Sequence, residues 1–219
     1  MGSEEEKLEL LGMWASPFVQ RVKWVLKLKG IEYTYTEEDL TNKSQRLLNL
    51  NPIHKMVPVL IHNGKPILES WVIIEYIEET WKHNPLFPVD DPYQIAMARF
   101  WGQFLEEKLT EGIRRVLMSE GEKKEKEVKQ VIESFDVLEG ELNGKKYFGG
   151  DKVGIVDIVL GSILVCVDVV EEIASVKMFD SQKHSSLGCW RKTFAELPGV
   201  EGDSPSKDDL VAYALHRIT

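Results

Sequence analysis

The chain has 219 residues, of which 43% are hydrophobic and 29% charged, and its net charge is −9. This composition is typical of a globular protein large enough to bury a substantial core. Acidic residues outnumber basic ones in residues 1–80 (12 against 9) and in residues 81–219 (24 against 18), which excludes a domain with the positive charge of a nucleic-acid binder.

Targeting and redox signals are weak. No apolar run approaches the length of a membrane-spanning helix, and the acidic start, Met1–Glu6, lacks the apolar core of a signal peptide. The two cysteines, Cys166 and Cys189, lie in apolar, helix-like surroundings without the spacing of a redox or zinc motif. We therefore expect two buried free thiols, with a partly exposed and oxidisable Cys189 as the alternative, and a cytoplasmic protein with no membrane partner.

The first eighty residues alternate between the two-residue period of strands and the 3.6-residue period of helices. In chain order the predicted segments are strand Leu8–Met13, helix Phe18–Lys29, strand Ile31–Thr36, helix Ser44–Leu50, strands Val57–Ile61 and Pro66–Leu68, and helix Ser70–Trp81. Gly30 ends the first helix, and Asn42 or Ser44 caps the second. Asn63-Gly64 predicts a hairpin between the last two strands.

Beyond a proline-marked linker, the pattern is helical. The predicted helices are Pro92–Met118, Glu122–Leu142, Ile155–Ile173, Ser186–Glu196 and Lys207–Arg217. Asp91 is the expected cap of the first of them, followed by a first-turn proline. The third is almost wholly apolar and should be central, with Asp157 supplying the acidic half of a capping box at Gly154.

A hydroxyl residue and a proline stand where the first strand gives way to the first helix. In Trp14-Ala15-Ser16-Pro17-Phe18, Ser16 is of the type preferred at a helix cap and Pro17 of the type preferred in the first turn. The Ser16 hydroxyl then lies among free N–H groups at the positive end of a helix dipole, which stabilises an anion. Taken alone, the pattern also fits an ordinary cap. Since the chain places no thiol there, an anion has to come from a ligand.

Two further segments suit a peptide-like ligand. Pro58 begins a strand, and if the Val57–Pro58 bond is cis, the Val57 N–H and C=O face outward to pair with an extended peptide. At Glu69-Ser70 a strand meets a helix. The Ser70 hydroxyl and the helix N-terminus suit a carboxylate, and the Glu69 carboxylate suits an ammonium group. A free α-amino acid carries both groups.

Ser-Pro-Phe, Val-Pro-Val-Leu and Glu-Ser occur together, in this order, in a highly specific combination. On these motifs the chain resembles the cytosolic glutathione transferases, and most closely the plant tau class. The matching segments are Trp14–Phe18 with Arg21-Val22, Glu38–Leu40, Asn42–Ser44, Asn51–Leu60, Asn63–Pro66, Glu69-Ser70, Tyr147–Asp151 and Gly154–Asp157. The resemblance is strong over residues 8–80 and looser beyond about residue 160.

The resemblance implies an α+β, thioredoxin-like N-terminal domain (β-α-β-α-β-β-α) joined to an all-α C-terminal domain, which is the glutathione transferase fold. The glutathione-binding domain would be residues 1–81, the linker 82–91, and the helical domain 92–219. A homodimer acting in detoxification and stress response is implied. Glutathione would be a co-substrate, with no other cofactor and no metal.

The resemblance also implies site roles. Ser16 would be catalytic, its hydroxyl donating to the cysteine sulfur of glutathione and lowering the thiol pKa, so that the thiolate attacks a hydrophobic electrophile. A serine here favours conjugation, or glutathione-dependent peroxide reduction, over thiol–disulfide chemistry. The implied glutathione-binding residues are Lys43, Lys55, Val57, Pro58, Glu69 and Ser70. Glu69 and Ser70 would hold the γ-glutamyl group, Val57 the cysteinyl backbone, and the lysines the glycine carboxylate.

The second-substrate pocket is the part on which the sequence is least specific. Its candidates are Trp14, Phe18, Thr110 and Leu117, for each of which core packing is an equal explanation. The tau pattern usually has an aromatic residue near Thr110. This departure motivates one alternative, a ligandin-like carrier that binds glutathione and hydrophobic ligands without turnover. A non-catalytic scaffold is a third interpretation, disfavoured by the complete set of glutathione motifs.

Overall fold

The computed structural model describes residues 7–218, and the chain divides into two compact units between Asn84 and Pro85. The acidic segment Met1–Glu6, in which no signal peptide is predicted, lies outside the described residues. Within the described range, residues 81–91 form neither helix nor strand. No helix in the part of the chain that the structure describes is long and apolar enough to cross a membrane.

The N-terminal unit is built on a four-stranded sheet. Its strands are β1 (Leu8–Gly12), β2 (Thr34–Glu37), β3 (Val59–His62) and β4 (Lys65–Leu68), in the order β2-β1-β3-β4. β1 pairs parallel with β2 and antiparallel with β3, and β3 pairs antiparallel with β4. Its helices are α1 (Pro17–Leu28), α2 (Gln45–Leu50) and α3 (Ser70–Thr80). The element order β-α-β-α-β-β-α is the predicted one.

Burial explains why the central strands form. Leu10 and Leu11 of β1 and Val59 and Leu60 of β3 are fully buried, as the near-continuous apolar runs of both strands require. The predicted start of the second strand at Ile31 is wrong, because β2 pairs with β1 only from Thr34 onward. Ser44, not Asn42, caps α2, since its Oγ accepts from the N–H of Leu47 at 3.0 Å.

The C-terminal unit is helical in its described part. Its elements are α4 (Pro92–Phe104), a π-helical segment (Leu105–Thr110), α5 (Glu111–Leu117), α6 (Gly121–Leu142), α7 (Ile155–Ala174), α8 (Ser185–Ala195) and α9 (Lys207–Ile218). The single helix predicted over 92–118 is therefore interrupted by π-type hydrogen bonding. The backbone stays right-handed helical at Phe104 and Glu111, so the segment widens the helix without breaking it. Residues 105–109 are good helix formers, and no glycine or proline in the segment indicates this change.

Asp157 organises the start of α7. The helix is the buried one predicted, and the Gly154 N–H donates to Asp157 Oδ2 at 2.8 Å, which confirms the capping interaction. The same carboxylate accepts from the N–H of Phe148 at 3.0 Å and from Nε1 of Trp190 at 2.7 Å. One fully buried side chain thus joins the turn before α7, the helix cap and α8.

The titration of Asp157 predicts a pH dependence of stability. Burial outweighs the N–H donors around the carboxylate and raises the pKa of Asp157 to about 6, against about 3.9 in an unfolded chain. The folded state therefore binds the proton more tightly. The stabilising contribution of this proton is complete below about pH 4 and is lost as pH rises through about 6. We expect the unfolding free energy of the wild type, measured relative to Asp157→Asn, to fall by about 2–3 kcal/mol between these limits. A difference that stays constant with pH would contradict this assignment.

Both cysteines are free, but Cys189 is exposed, so the expectation that both are buried is wrong and the alternative of an exposed Cys189 is the one observed. α8 buries Leu187, Trp190 and Phe194, which lie on one face of the helix, and Cys189 lies off that face. Cys166 on α7 is half-buried, and burial raises the pKa of its thiol to about 12.

Candidate active site

The sheet register brings the segments that carry the N-terminal site residues to the same end of the strands. Leu11 of β1 lies opposite Val59 of β3, which lies opposite Leu68 of β4. The segments that follow β1, precede β3 and follow β4 therefore leave the sheet at the same end. Because β2 runs parallel to β1, with Glu37 opposite Gly12, the segment leading from β2 to Lys43 starts at that end too.

Ser16 is the N-cap of α1, as predicted. Its Oγ accepts from the N–H of Val19 at 3.3 Å, and Pro17 occupies the first helical position. The side chain is buried, and within residues 7–218 its hydroxyl proton has no hydrogen-bond acceptor. The hydroxyl is thus a free donor at the positive end of a twelve-residue helix. This arrangement suits a ligand atom that carries negative charge.

The Val57–Pro58 bond is cis, as the peptide-pairing hypothesis requires. Val57 precedes β3, and no hydrogen bond of its backbone is found among the described residues. Asn51, which is buried, organises the preceding loop: its side chain accepts from the His54 N–H and donates to the Met56 carbonyl, both at 3.0 Å. This supporting role of Asn51 is not predicted from the sequence, in which the Asn-Pro pair after α2 indicates only a loop.

Ser70 begins α3 and is paired with a residue that the sequence analysis did not place in the site. The buried guanidinium of Arg21 donates to Ser70 Oγ through Nε at 3.0 Å and also through Nη2. It also lies over the ring of Phe18, 4.9 Å from the ring centroid. Because the Ser70 oxygen accepts from a cation, its own proton is directed elsewhere, toward an acceptor such as a carboxylate.

The charged candidates lie around these segments. Glu69 and Lys55 both have left-handed backbones, with φ of 67° and 55°, which is uncommon for residues other than glycine and is often found at functional sites. The exposed carboxylate of Glu69 lies 3.5 Å from Nε2 of His54. Lys43 is half-buried and its Nζ contacts Met56 Sδ at 3.8 Å, which places Lys43 beside the loop that carries Lys55.

The pocket candidates fall in both units. Trp14 is exposed and Phe18 half-buried in the N-terminal unit, on either side of Ser16 in the chain. Thr110 ends the π-helical segment, and among the described residues its buried Oγ1 has no partner; Leu117 ends α5. The C-terminal unit also contains a cavity of about 330 Å³ between α4 and the start of α7, lined by Trp101, Phe148 and Ile155 but not by Thr110 or Leu117.

Comparison with known proteins identifies the family. A model of the N-terminal domain of glutathione S-transferase matches residues 6–79, and a model of its C-terminal domain matches residues 94–198. The chain belongs to the glutathione S-transferase family. A probable glutathione S-transferase of Glycine max is 46% identical over 214 residues, covering 97% of this chain and 95% of the relative. Glutathione S-transferase U7 of Arabidopsis thaliana is 42% identical, covering 99% and 95%.

Solved structures of glutathione S-transferases have the same fold as this chain. A tau class glutathione S-transferase from mango superposes with a TM-score of 0.90 at 39% identity, covering 96% of this chain and 98% of the mango chain. A rice glutathione S-transferase, solved in complex with glutathione, gives a TM-score of 0.89 at 32% identity, covering 98% and 97%. The predicted fold, a thioredoxin-like domain followed by an all-α domain, and the predicted glutathione transferase function with its tau-class resemblance are confirmed.

The described residues of this transferase contain no cluster of three or more His, Cys, Asp or Glu side chains able to hold a metal ion.

Proposed function

We propose that the enzyme binds glutathione at the end of the sheet where β1 and β4 finish and β3 begins, and that Ser16 holds the glutathione sulfur as a thiolate. The observation that carries this proposal is the Ser16 hydroxyl, whose oxygen accepts from Val19 while its proton has no acceptor within residues 7–218. A hydrogen bond donated to sulfur favours the charged form, and the dipole of α1 acts in the same direction. Both effects lower the thiol pKa.

The remaining motifs match the other ends of the tripeptide. Glu69 would pair with the γ-glutamyl ammonium, and the Ser70 hydroxyl, oriented by Arg21, would donate to the γ-glutamyl carboxylate. The free N–H and C=O of Val57, at the cis bond to Pro58, would pair with the cysteinyl backbone. The glycine carboxylate would lie toward Lys43 and Lys55, whose loops meet at Met56. Their combined charge distinguishes a peptide with two carboxylates from a simple thiol.

The proposed reaction needs no general base at the moment of attack. The thiol proton is lost to solvent on binding, and the sulfur electron pair then forms a bond to an electrophilic carbon. The leaving group departs with its bonding pair, or an activated double bond accepts the electrons. The candidate contacts of a hydrophobic electrophile are Trp14 and Phe18 in the N-terminal unit, and Thr110 and Leu117 in the helical unit. Reduction of a peroxide by the same thiolate is a further use of the site.

A conjugation assay tests this function against the ligandin-like carrier. With glutathione and 1-chloro-2,4-dinitrobenzene, the enzyme should form the thioether at a rate that depends on Ser16. Binding of glutathione and of an apolar dye without thioether or peroxide turnover would support the carrier instead. Failure to bind glutathione at all would reject both.

We also propose a cytoplasmic homodimer. One face of α4 exposes Tyr93, Ala96 and Phe100, which recur at helical spacing and leave an apolar stripe uncovered in the single chain. A second copy is the occupant expected from the family. Sedimentation equilibrium should give twice the mass of the 25.1 kDa chain, and Phe100→Glu should shift the equilibrium to monomer.

Replacing Glu69 with glutamine tests the ammonium contact. Because an exposed charge-assisted hydrogen bond contributes on the order of 1 kcal/mol, we expect Glu69→Gln to raise the KM for glutathione about five- to tenfold, with a much smaller change in kcat. N-acetylated glutathione, which lacks the ammonium group, provides the control. It should bind the wild type and Glu69→Gln equally, and an equal penalty for both ligands would contradict the pairing.

A further inference from the structure

The turn between β1 and α1 presents Ser16, and the backbone N–H groups of Trp14, Ala15 and Ser16 all have acceptors. The N–H of Ser16 donates to the Met13 carbonyl at 3.0 Å, and that of Ala15 to the Met13 sulfur at 3.1 Å. Both bonds lie within the turn. The N–H of Trp14 instead donates at 2.9 Å to Oε1 of Glu37, the last residue of the neighbouring strand β2. Glu37 therefore ties the turn to a neighbouring strand.

Glu37 is itself held in place. Its second oxygen accepts from the Tyr35 hydroxyl at 2.6 Å, so the carboxylate bridges a side chain on its own strand and the Trp14 backbone. Burial, and the neighbouring Glu37 carboxylate, raise the pKa of Tyr35, so the phenol remains a donor at neutral pH. A charge-assisted hydrogen bond of this length fixes the rotamer of an otherwise exposed glutamate.

The Tyr35 ring also packs against the residues that frame Ser16. A methyl group at Gly12 would lie 2.7 Å from the Tyr35 ring and 2.6 Å from Val19, so both side chains cover the last residue of β1. Val19 is the residue whose N–H donates to the Ser16 hydroxyl oxygen. Tyr35 thus lies against the end of the strand that leads into the turn, and Nζ of Lys23, on the helix that leaves the turn, is 5.8 Å from the centroid of its ring.

We propose that Tyr35 and Glu37 are a positioning pair that fixes the 13–15 turn and thereby aims the Ser16 hydroxyl at the sulfur. This inference rests on the proposed role of Ser16. Neither residue touches the reacting atoms; they act through the turn. Since a hydrogen bond to a thiolate weakens steeply with angle and distance, a loosened turn leaves glutathione bound but its thiol less acidic.

Positioning by Glu37 and the negative charge of Glu37 have opposite effects on the pKa of the bound thiol. Removing Glu37 deletes a negative charge near the site, which by itself would lower the pKa of the bound thiol. Loss of positioning raises that pKa. The sign of the change in Glu37→Ala therefore distinguishes the two explanations.

The experiment measures kcat, the KM for glutathione and the pKa of the bound thiol, by ultraviolet titration of the thiolate, in Glu37→Ala, Glu37→Gln and Tyr35→Phe. We expect Glu37→Ala to lower kcat roughly tenfold and raise the thiol pKa by up to about one unit, with KM within about twofold of wild type. Glu37→Gln keeps an oxygen for the Trp14 N–H and should recover most of the loss. Glu32→Ala, which removes an exposed carboxylate from the same segment, is the matched control and should equal wild type.

Non-additivity gives a second readout. If Tyr35 acts through Glu37, adding Tyr35→Phe to Glu37→Ala should lower kcat no further. A wild-type kcat and thiol pKa in Glu37→Ala, even with a lower melting temperature, would overturn the proposal, and so would a lowered thiol pKa. If the wild type itself leaves the thiol as weakly acidic as free glutathione, the proposed role of Ser16 fails instead.

Discussion

Ser16→Ala should reduce kcat for conjugation by about 10- to 100-fold near neutral pH while leaving the affinity for glutathione nearly unchanged. A hydrogen bond to a charged group contributes about 1.5–3 kcal/mol, which corresponds to one to two units in the pKa of the bound thiol. The thiolate fraction at pH 7 falls by the same factor. Glu69, Ser70 and the lysines still hold the tripeptide, so its KM should change little. Stopped-flow titration of bound thiolate and steady-state kinetics measure both quantities.

The controls separate chemistry from helix capping. Ser16→Ala also removes the cap of α1, which costs about 1 kcal/mol. Ser206→Ala removes a serine cap from the C-terminal unit, where Ser206 Oγ accepts from the N–H of Asp209 at 3.1 Å. It should lower stability similarly and leave kcat intact. Ser16→Thr retains a hydroxyl and should recover much of the rate. Unchanged turnover in Ser16→Ala would show that another group stabilises the thiolate.

Asp157→Ala should be the most destabilising single substitution at a capping position. It leaves three N–H groups, from Phe148, Gly154 and Trp190, without their acceptor. Unsatisfied buried donors cost about 1–3 kcal/mol each, partly offset because a buried carboxylate is no longer desolvated. We expect a loss of about 3–5 kcal/mol, or roughly 10 °C in melting temperature at fixed protein concentration.

Two further variants check the reason for this loss. Asp91→Ala removes a cap whose carboxylate accepts from Tyr93 and Gln94 at the exposed start of α4, and it should cost only about 1 kcal/mol. Asp157→Asn keeps one oxygen acceptor and should fall between the wild type and Asp157→Ala. If Asp157→Ala were no more destabilising than Asp91→Ala, the three-way junction would not be a major determinant of stability.

The positions of most elements followed from local patterns. Ser16-Pro17 specified the start of α1, Asn63-Gly64 the hairpin, and the apolar period of residues 155–173 the buried helix, because caps, turns and periodicity depend on neighbouring residues. Boundaries were less reliable. The start of β2 and the π-helical segment before α5 depend on pairing and packing that the local sequence does not specify.

In the candidate site too, some residues were predicted from local sequence and others were found only in the tertiary structure. Its motif residues, Ser16, Val57-Pro58 and Glu69-Ser70, were identified by the sequence alone, since each combines a distinctive residue type with a predicted strand or helix end. The residues that hold these motif residues in place were not identified from the sequence. In the site, Arg21 reaches Ser70 across 49 positions and Glu37 reaches Trp14 across 23. In the helical unit, Trp190 reaches Asp157 across 33. Cys189 likewise proved exposed only when the buried face of α8 was known. Such contacts are decided by the tertiary structure, because a hydrogen bond or a packed face between distant segments leaves no periodic signal in either one.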